Sequence, residues 1–436
     1  MKIRQEPINA ILIGAGNRGA DVYGKFALAH PWLFRFTAVV DPNPEKRNRF
    51  AQLHGIPSEY SVDTMDRLYN HMESIDAVFI CTPDRFHFDQ AMAFMNSTSI
   101  IVLEKPAGVT LSQIETLELR ARDRKNPIII CHVLRYTPFF KTLKRILERK
   151  DMGKLININL QENIGFYHFA HSYVRGNWCS TDLSGPSILT KSVHDMDILY
   201  WLAGSPPEKI YSMGELSWFK KENAPLGTPE RCINGCPVQS DCPWYAPKIY
   251  LTENTGWPAS IISDEPSLPS RLQALETGPY GRCVFRCDND VADRQSVLIR
   301  FANGVGATFS MNALTAEINR TIQIMLTKGE IQGNLKENWL ELHNFSTGEK
   351  ERIEVSAPSM GHYGGDDGLM YDIANLVQKY RDHDIDEIEV LKNNRRRIAE
   401  ALEGHRMAFA AEQSRKQGIQ ISMDSIVKEK FTDNRE

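Results

Sequence analysis

Short apolar runs alternate with segments of helical periodicity through the first third of the chain. Ile8 to Ile13 is apolar almost throughout, and Val22, Phe26 and Ala29 recur after it at helical spacing, which predicts a buried strand followed by a helix. Phe36–Val40, Ala77–Cys81, Ile100–Leu103 and Pro127–Val133 repeat the strand signature. Between them a helix is expected from Asp84 to Met95, and another where Leu111, Ile114, Leu117 and Ala121 share one face. This βα alternation predicts a parallel, doubly wound sheet that binds ligands beyond the carboxyl ends of its strands. The second half has a different rhythm. Ser296–Phe301 and Val305–Met311 flank Ala302-Asn303-Gly304, a hairpin signal, and Val305, Ala307, Phe309 and Met311 alternate with Gly306, Thr308 and Ser310. A largely antiparallel open sheet with one buried face is expected there. Ile398, Ala401, Leu402, Ala408 and Phe409 form a carboxyl-terminal helical stripe, and the polar stretch from Lys428 to Glu436 is expected to fray.

Composition narrows the class. The 436 residues allow two or three domains, and 42% hydrophobic with 24% charged residues is the balance of a globular protein. Fifty-one Lys plus Arg against 55 Asp plus Glu leave a net charge of −4, too even to attract nucleic acid or anionic lipid. No membrane-spanning apolar run occurs, and the opening MKIRQEPINAILIGAG has neither a long apolar segment nor a small-residue cleavage site. A cytoplasmic location is the expectation. The eight cysteines are then expected as free thiols, metal ligands or reactive groups more than as disulfides.

Chemistry enters at the strand ends. Gly14-Ala15-Gly16-Asn17-Arg18-Gly19 joins the first strand to its helix, and Asp41 ends the second strand 22 residues beyond Gly19. Glycines let the backbone turn tightly and approach a pyrophosphate, the helix start offers free N–H groups, and an acid at this distance meets a ribose. Asp41 would repel a 2′-phosphate, so NAD is favoured, while nearby Arg47 keeps NADP open. Three further polar clusters close strands: Thr82-Pro83 with His87, Glu104-Lys105-Pro106, and Arg135-Tyr136.

These residues resemble a known family. Gly14 to Gly19, Cys81-Thr82-Pro83 with His87, Glu104-Lys105-Pro106, and the run from Ser184 through Lys191, His194 and Asp195 to Asp197, followed by Trp201-Leu202-Ala203-Gly204, resemble the Gfo/Idh/MocA oxidoreductases. Those proteins join a nicotinamide-binding Rossmann domain to a second α/β domain. The resemblance implies a Rossmann domain over residues 1–133, an α+β substrate and oligomerisation domain over 134–390 with a Cys-rich insertion around 220–290, and a helix and tail over 391–436. It implies a sugar, cyclitol or related polyol substrate, a bound NAD, and a homo-oligomer, dimer or tetramer, paired through the second sheet. Its cofactor contacts would be Gly14, Gly16, Asn17, Arg18, Gly19, Asp41, Thr82, Pro83, His87, Glu104, Lys105 and Arg135, with Lys105 beside the nicotinamide. One position departs: where many of these dehydrogenases carry an Asp four residues before the helix His, this chain has Thr190, followed by Lys191.

Oxidising a carbinol requires removal of its hydroxyl proton by a group whose pKa lies near the working pH. Lys105, its pKa lowered by partial desolvation beside a cationic ring, is one candidate and His194 the other, with Lys191 also contacting the reacting hydroxyl. Asn163, Tyr167, His168, Arg175 and Trp178 lie in a non-periodic stretch suited to a sugar ring, and with Lys191, His194 and Asp195 they form the expected substrate site. Arg135, Arg175 and Lys191 could converge on an anionic substituent. His362 and Asp366, in a glycine-rich turn, are candidates for the same pocket. Cys232, Cys236, Cys242 and Cys283 (or Cys287) are expected to hold a structural zinc, ahead of free thiols, an iron–sulfur cluster or disulfides.

The leading reading is an NAD-dependent oxidoreductase moving hydride between a sugar, cyclitol or polyol and the nicotinamide. The alternatives are a redox-neutral NAD-dependent glycosidase working by oxidation, elimination and re-reduction, and a non-catalytic dinucleotide sensor.

Overall fold

A computed structural model describes residues 6–68, 75–149, 151–356, 361–381 and 387–428. The tail expected to fray, beyond residue 428, lies outside them. Among the described residues no helix is long and apolar enough to cross a membrane.

The apolar runs of the first third form β1 (Ile8–Ile13), β2 (Phe34–Val40), β3 (Ser61–Val62), β4 (Ala77–Ile80), β5 (Ile100–Leu103) and β6 (Ile128–Ile130). They pair in parallel in the order β3-β2-β1-β4-β5-β6. The chain order reverses direction between β1 and β4, and a crevice at that switch point is where such sheets take their ligands. Its strands are buried on both faces, which is why they read as continuous apolar runs without alternation. The helix Leu111–Ala121 has a capping box, with Thr110 accepting from the Gln113 amide, and buries Ile114, Leu117 and Ala121 as its stripe predicts.

The second sheet contains β7 (Leu155–Asn163), β8 (Pro207–Glu215), β9 (Arg294–Phe301), β10 (Gly306–Asn312), β11 (Asn319–Leu326), β12 (Gly329–Asn334), β13 (Trp339–Asn344), β14 (Lys350–Glu354) and β15 (Ile421–Ser422). Their order is β14-β13-β12-β11-β7-β10-β9-β8-β15; β7 and β10 run parallel, while the remaining pairs are antiparallel. The expected β9–β10 hairpin is present, with Ala307, Phe309 and Met311 buried on one face. That face packs into a core shared with the helices Val193–Ala203 and Glu387–Gln417. The Cys-rich insertion fills the connection from β8 to β9, where Cys232, Ala246, Tyr250 and Leu275 make a small core of their own.

The core does not divide where the sequence placed the second domain's end. Leu369, Met370, Ile373, Ala374 and Val377, on the helix Gly361–Arg381, pack into the cluster of Leu12, Phe26, Phe36 and Phe79 of the first domain. Helix Glu387–Gln417 spans both halves, with Ile398 and Leu402 in the core of the parallel sheet and Met407, Ala408 and Ala411 in that of the second.

Candidate active site

The glycine turn is fixed by what surrounds it. Gly14 sits at φ +92°, and a side chain there would come within 2.7 Å of the Cys81 carbonyl oxygen, so β1 and β4 approach closely only because this residue is Gly. A side chain at Gly19 would lie 2.1 Å from the Gly14 oxygen, whereas one at Gly16 would meet nothing within 4 Å. Open space at Gly16, with the helical segment Asn17–Gly24 beginning beside it, is the surface a dinucleotide pyrophosphate needs. Asp41 ends β2; its carboxylate accepts from the amides of Ala15 and Asn43, each at 2.8 Å, and Arg47 donates to its carbonyl at 2.6 Å. These residues fit a nicotinamide dinucleotide at the switch point, which would supply hydride transfer at its ring.

Loops after β4 and β5 are tied together. His87 is 1% exposed and bonds the carbonyl oxygens of Pro106 and Thr82, each at 2.7 Å. It braces the Thr82-Pro83 and Lys105-Pro106 turns and has no ring nitrogen left for a cofactor. Glu104 is also a brace: it accepts from Tyr23 Oη at 2.6 Å and Arg18 Nε at 2.7 Å, and Arg18 continues to Asp366 at 2.8 Å. Burial works against the Glu104 charge, yet Arg18 and Tyr23 hold its carboxyl below the usual range. Arg18, expected on the cofactor, thus links the glycine turn to Glu104 and to the helix Gly361–Arg381. That helix begins with His362, Tyr363 and Gly364 in left-handed conformations, which places His362 6.2 Å from the His194 ring.

Lys105 reaches the second domain, where its Nζ donates to the Thr190 carbonyl at 2.8 Å. It also lies 5.7 Å from the Trp178 ring, whose Nε1 donates to Asp84 at 2.7 Å. Burial brings the Lys105 pKa down to about 8; Asp84 and Glu104 oppose the shift, while Lys191 and Arg18 add to it. His194, one turn beyond Thr190, is 6% exposed, and its pKa is pushed well down by burial and by the Lys105 charge. Its ring is therefore a neutral acceptor. Lys191 pairs at 3.2 Å with Glu162, which also meets Arg320 at 2.7 Å; Arg320 in turn forks onto Asp195 at 2.7 and 3.1 Å. Glu162 is fully buried, and burial raises its pKa against the pull of Arg320 and Lys191.

The sequence of residues 8–132 matches the profile described as "Oxidoreductase family, NAD-binding Rossmann fold", Gfo/Idh/MocA. Residues 8–132 are thus similar to the NAD-binding domain of the Gfo/Idh/MocA oxidoreductases. Over 402 residues it is 23% identical to the putative oxidoreductase YteT of Bacillus subtilis, covering 86% of this chain and 91% of that protein. It is 25% identical over 177 residues to scyllo-inositol 2-dehydrogenase (NADP(+)) IolU of the same organism, covering 40% of this chain and 52% of IolU. A levoglucosan dehydrogenase solved with NADH and levoglucosan shares the fold, with a TM-score of 0.65 at 15% identity over 96% of this chain and all of that one. The chain joins an NAD-binding Rossmann-type domain to a second, mostly antiparallel sheet domain, the architecture of solved oxidoreductases.

Within this Gfo/Idh/MocA frame several expected residues fall elsewhere. Asn163 lies on the face of β7 opposite Glu162 and accepts from Gln161 Nε2 at 3.0 Å, because successive strand residues point to opposite sides. Asp195 is fully buried and held by Arg320. Arg175 turns into the insertion, donating to the carbonyls of Arg282 and Trp244 at 2.7 Å each and to the Cys232 sulfur at 3.6 Å. Arg135 forks onto Asp197 at 2.7 and 2.6 Å. Arg135, Arg175 and Lys191 each have their own acceptor and do not converge. Tyr167 and His168 stand against Trp257 of the insertion, with ring centroids 6.1 and 5.0 Å apart, and the charges of Lys191 and Lys105 both act on His168. The insertion thus packs an aromatic ring against the segment that carries Tyr167 and His168.

The zinc site expected from Cys232, Cys236, Cys242 and Cys283 is not formed. All eight thiols are free, and among the described residues no group of three or more His, Cys, Asp or Glu side chains is placed to hold a metal. Burial raises the thiol pKa values of Cys242 and Cys283, and Arg175 lies beside the Cys232 sulfur. Sequence reasoning also missed Glu162, Arg320, Asp84 and His132. For Glu162 the signal was present: it continues the buried phase of Ile158 and Leu160 along β7.

Proposed function

We propose that the chain oxidises a secondary hydroxyl of a sugar, cyclitol or polyol, with NAD⁺ as the preferred acceptor and Lys105 as the group that takes the hydroxyl proton. The observation that carries this is the Lys105 Nζ to Thr190 carbonyl bond of 2.8 Å, which joins the nucleotide domain to the segment bearing Lys191 and His194. An amine with a pKa of about 8 is available as a base in a useful fraction at neutral pH. His194 orients the hydroxyl, and Lys191, anchored by Glu162 and one residue after the position of the usual Asp, binds a neighbouring oxygen. Tyr167, His168, Trp178 and Trp257 supply faces for an apolar sugar surface. The preference for NAD rests on Asp41 at the end of β2; the NADP named for IolU marks the competing cofactor. NADH formation with a panel of cyclitols, aldoses and anhydrosugars tests the reading, with Lys105→Met losing it. Release of an aglycone without net NADH would favour the redox-neutral glycosidase instead.

A further inference from the structure

Alcohol oxidation liberates one proton per turnover, and three buried imidazoles at and beside His194 have unpaired nitrogens. The Nδ1 atoms of His194, His132 and His405 are all buried and make no hydrogen bond among the described residues. The His132 ring lies 6.0 Å from that of His194 and 5.5 Å from that of His405. Their Nδ1 atoms make no direct hydrogen bond to one another, so a contact between these neighbouring rings would run through a water.

The partners of the other nitrogens assign the tautomers. His405 Nε2 lies 3.0 Å from the Ala107 amide, which donates to it, so the proton of a neutral His405 sits on Nδ1. His132 Nε2 lies 2.7 Å from the Ala401 carbonyl, which can only accept, so His132 Nδ1 carries a lone pair. Between these neighbouring rings His405 therefore offers a buried donor and His132 a buried acceptor. A water there would have two to three partners, enough to hold it in an otherwise apolar interior. On the far side His132 and Ala401 line a cleft of about 440 Å³, together with Arg135, Tyr136, Asp372 and Lys379. The charged groups acting on His132 are Asp197, whose Oδ1 lies 3.7 Å from Nε2, with Arg135 and Lys105.

We propose that His194, a bound water and His132 form a proton relay from the reacting hydroxyl to this cleft, with His405 Nδ1–H orienting the water. The proposal rests on the oxidoreductase reading above. The C–H electron pair leaves as hydride to the nicotinamide of NAD(P)⁺ and the O–H bond breaks. Its proton passes through Lys105 Nζ to His194 Nε2, while His194 Nδ1 releases a proton to the water, the water to His132 Nδ1, and His132 Nε2 to solvent. Each ring gains a proton on one nitrogen as it loses one from the other, so none has to hold a charge in the interior. Release leaves His132 in the opposite tautomer, which deprives the Ala401 carbonyl of its donor, and a ring turn restores the resting state.

The test uses the full-length protein with NAD(P) bound. Nitrogen-15 histidine spectra, recorded without substrate, are expected to show neutral His405 protonated on Nδ1 and neutral His132 protonated on Nε2, both in contact with a long-lived water proton. The reverse tautomers, or no such water, would overturn the relay whether or not a substrate is known. His132→Gln and His405→Gln each keep the side chain's bond to Ala401 or Ala107 and remove the nitrogen facing the water. Both should slow single-turnover NADH formation by about tenfold or more with KM unchanged, and imidazole should restore His132→Gly through the cleft. Folded variants that turn over at the parent rate would refute the relay, whereas failure of every sugar and polyol in the parent protein would refute the oxidoreductase reading alone.

Discussion

The pH dependence of catalysis offers a test with two opposite signs. Lys105 carries an amine whose pKa is brought from 10.5 to about 8 by burial, a penalty on its charged form relative to water of about 3 kcal/mol at roughly 1.4 kcal/mol per unit. If this amine takes the substrate proton, kcat/KM should rise about tenfold per pH unit through the acid range and level off above roughly pH 8. Asp84 raises this pKa and Lys191 lowers it. Asp84→Asn keeps an oxygen for Trp178 Nε1 but removes the anion, so the inflection should move to lower pH. Lys191→Gln removes a cation, so it should move to higher pH. At an effective dielectric of about 20 a unit charge is worth 1 kcal/mol or more out to roughly 10 Å, so each displacement should be about one unit. Initial rates of NADH formation from pH 5 to 10, at substrate concentrations well below KM, measure it. Inflections that stay put in both variants, or move in the same direction, would remove Lys105 as the base.

Two further outcomes follow from the braces. Arg18→Leu leaves the buried Glu104 and Asp366 without their shared cation, and the loss should be about 3–5 kcal/mol of stability, read as a melting temperature lowered by several degrees; Arg18→Lys, which cannot span both carboxylates as a fork, should fall between. Asp41→Ser removes the carboxylate that ends β2, so NAD should bind about tenfold more weakly, about 1.4 kcal/mol, while NADP loses less; equal losses for both cofactors in fluorescence titrations would contradict the assigned role of Asp41.

How much of this was legible in the chain depended on whether a signal was local. β1, the glycine turn and Asp41 could be placed because each is a short pattern whose geometry the backbone alone imposes, and the 296–311 hairpin because Asn303-Gly304 punctuates two alternating runs. Strand phase was the first thing lost: Asn163 and Glu162 are adjacent, yet only the buried phase set by Ile158 and Leu160 distinguishes which faces Lys191. Long-range pairing was the second. Nothing near Arg175 in sequence announces that its guanidinium ends at Arg282 and Trp244, and nothing near Asp195 announces Arg320. The thiol spacing in the insertion was compatible with a tetrahedral site, but spacing limits reach without fixing direction, and the thiols do not assemble into one.

The helix Gly361–Arg381 carries a consequence for how the protein is made. Its Leu369, Ile373 and Val377 seal the same interior as Leu12 and Phe36, so the dinucleotide-binding half is left with a bare apolar patch until residues 361–381 have left the ribosome. Its last contacts join residues far apart in sequence, which makes completion slow and leaves a long interval in which chaperones can hold the nascent chain. A fragment cut after residue 133 should be insoluble, and supplying residues 361–381 as a separate peptide should rescue it.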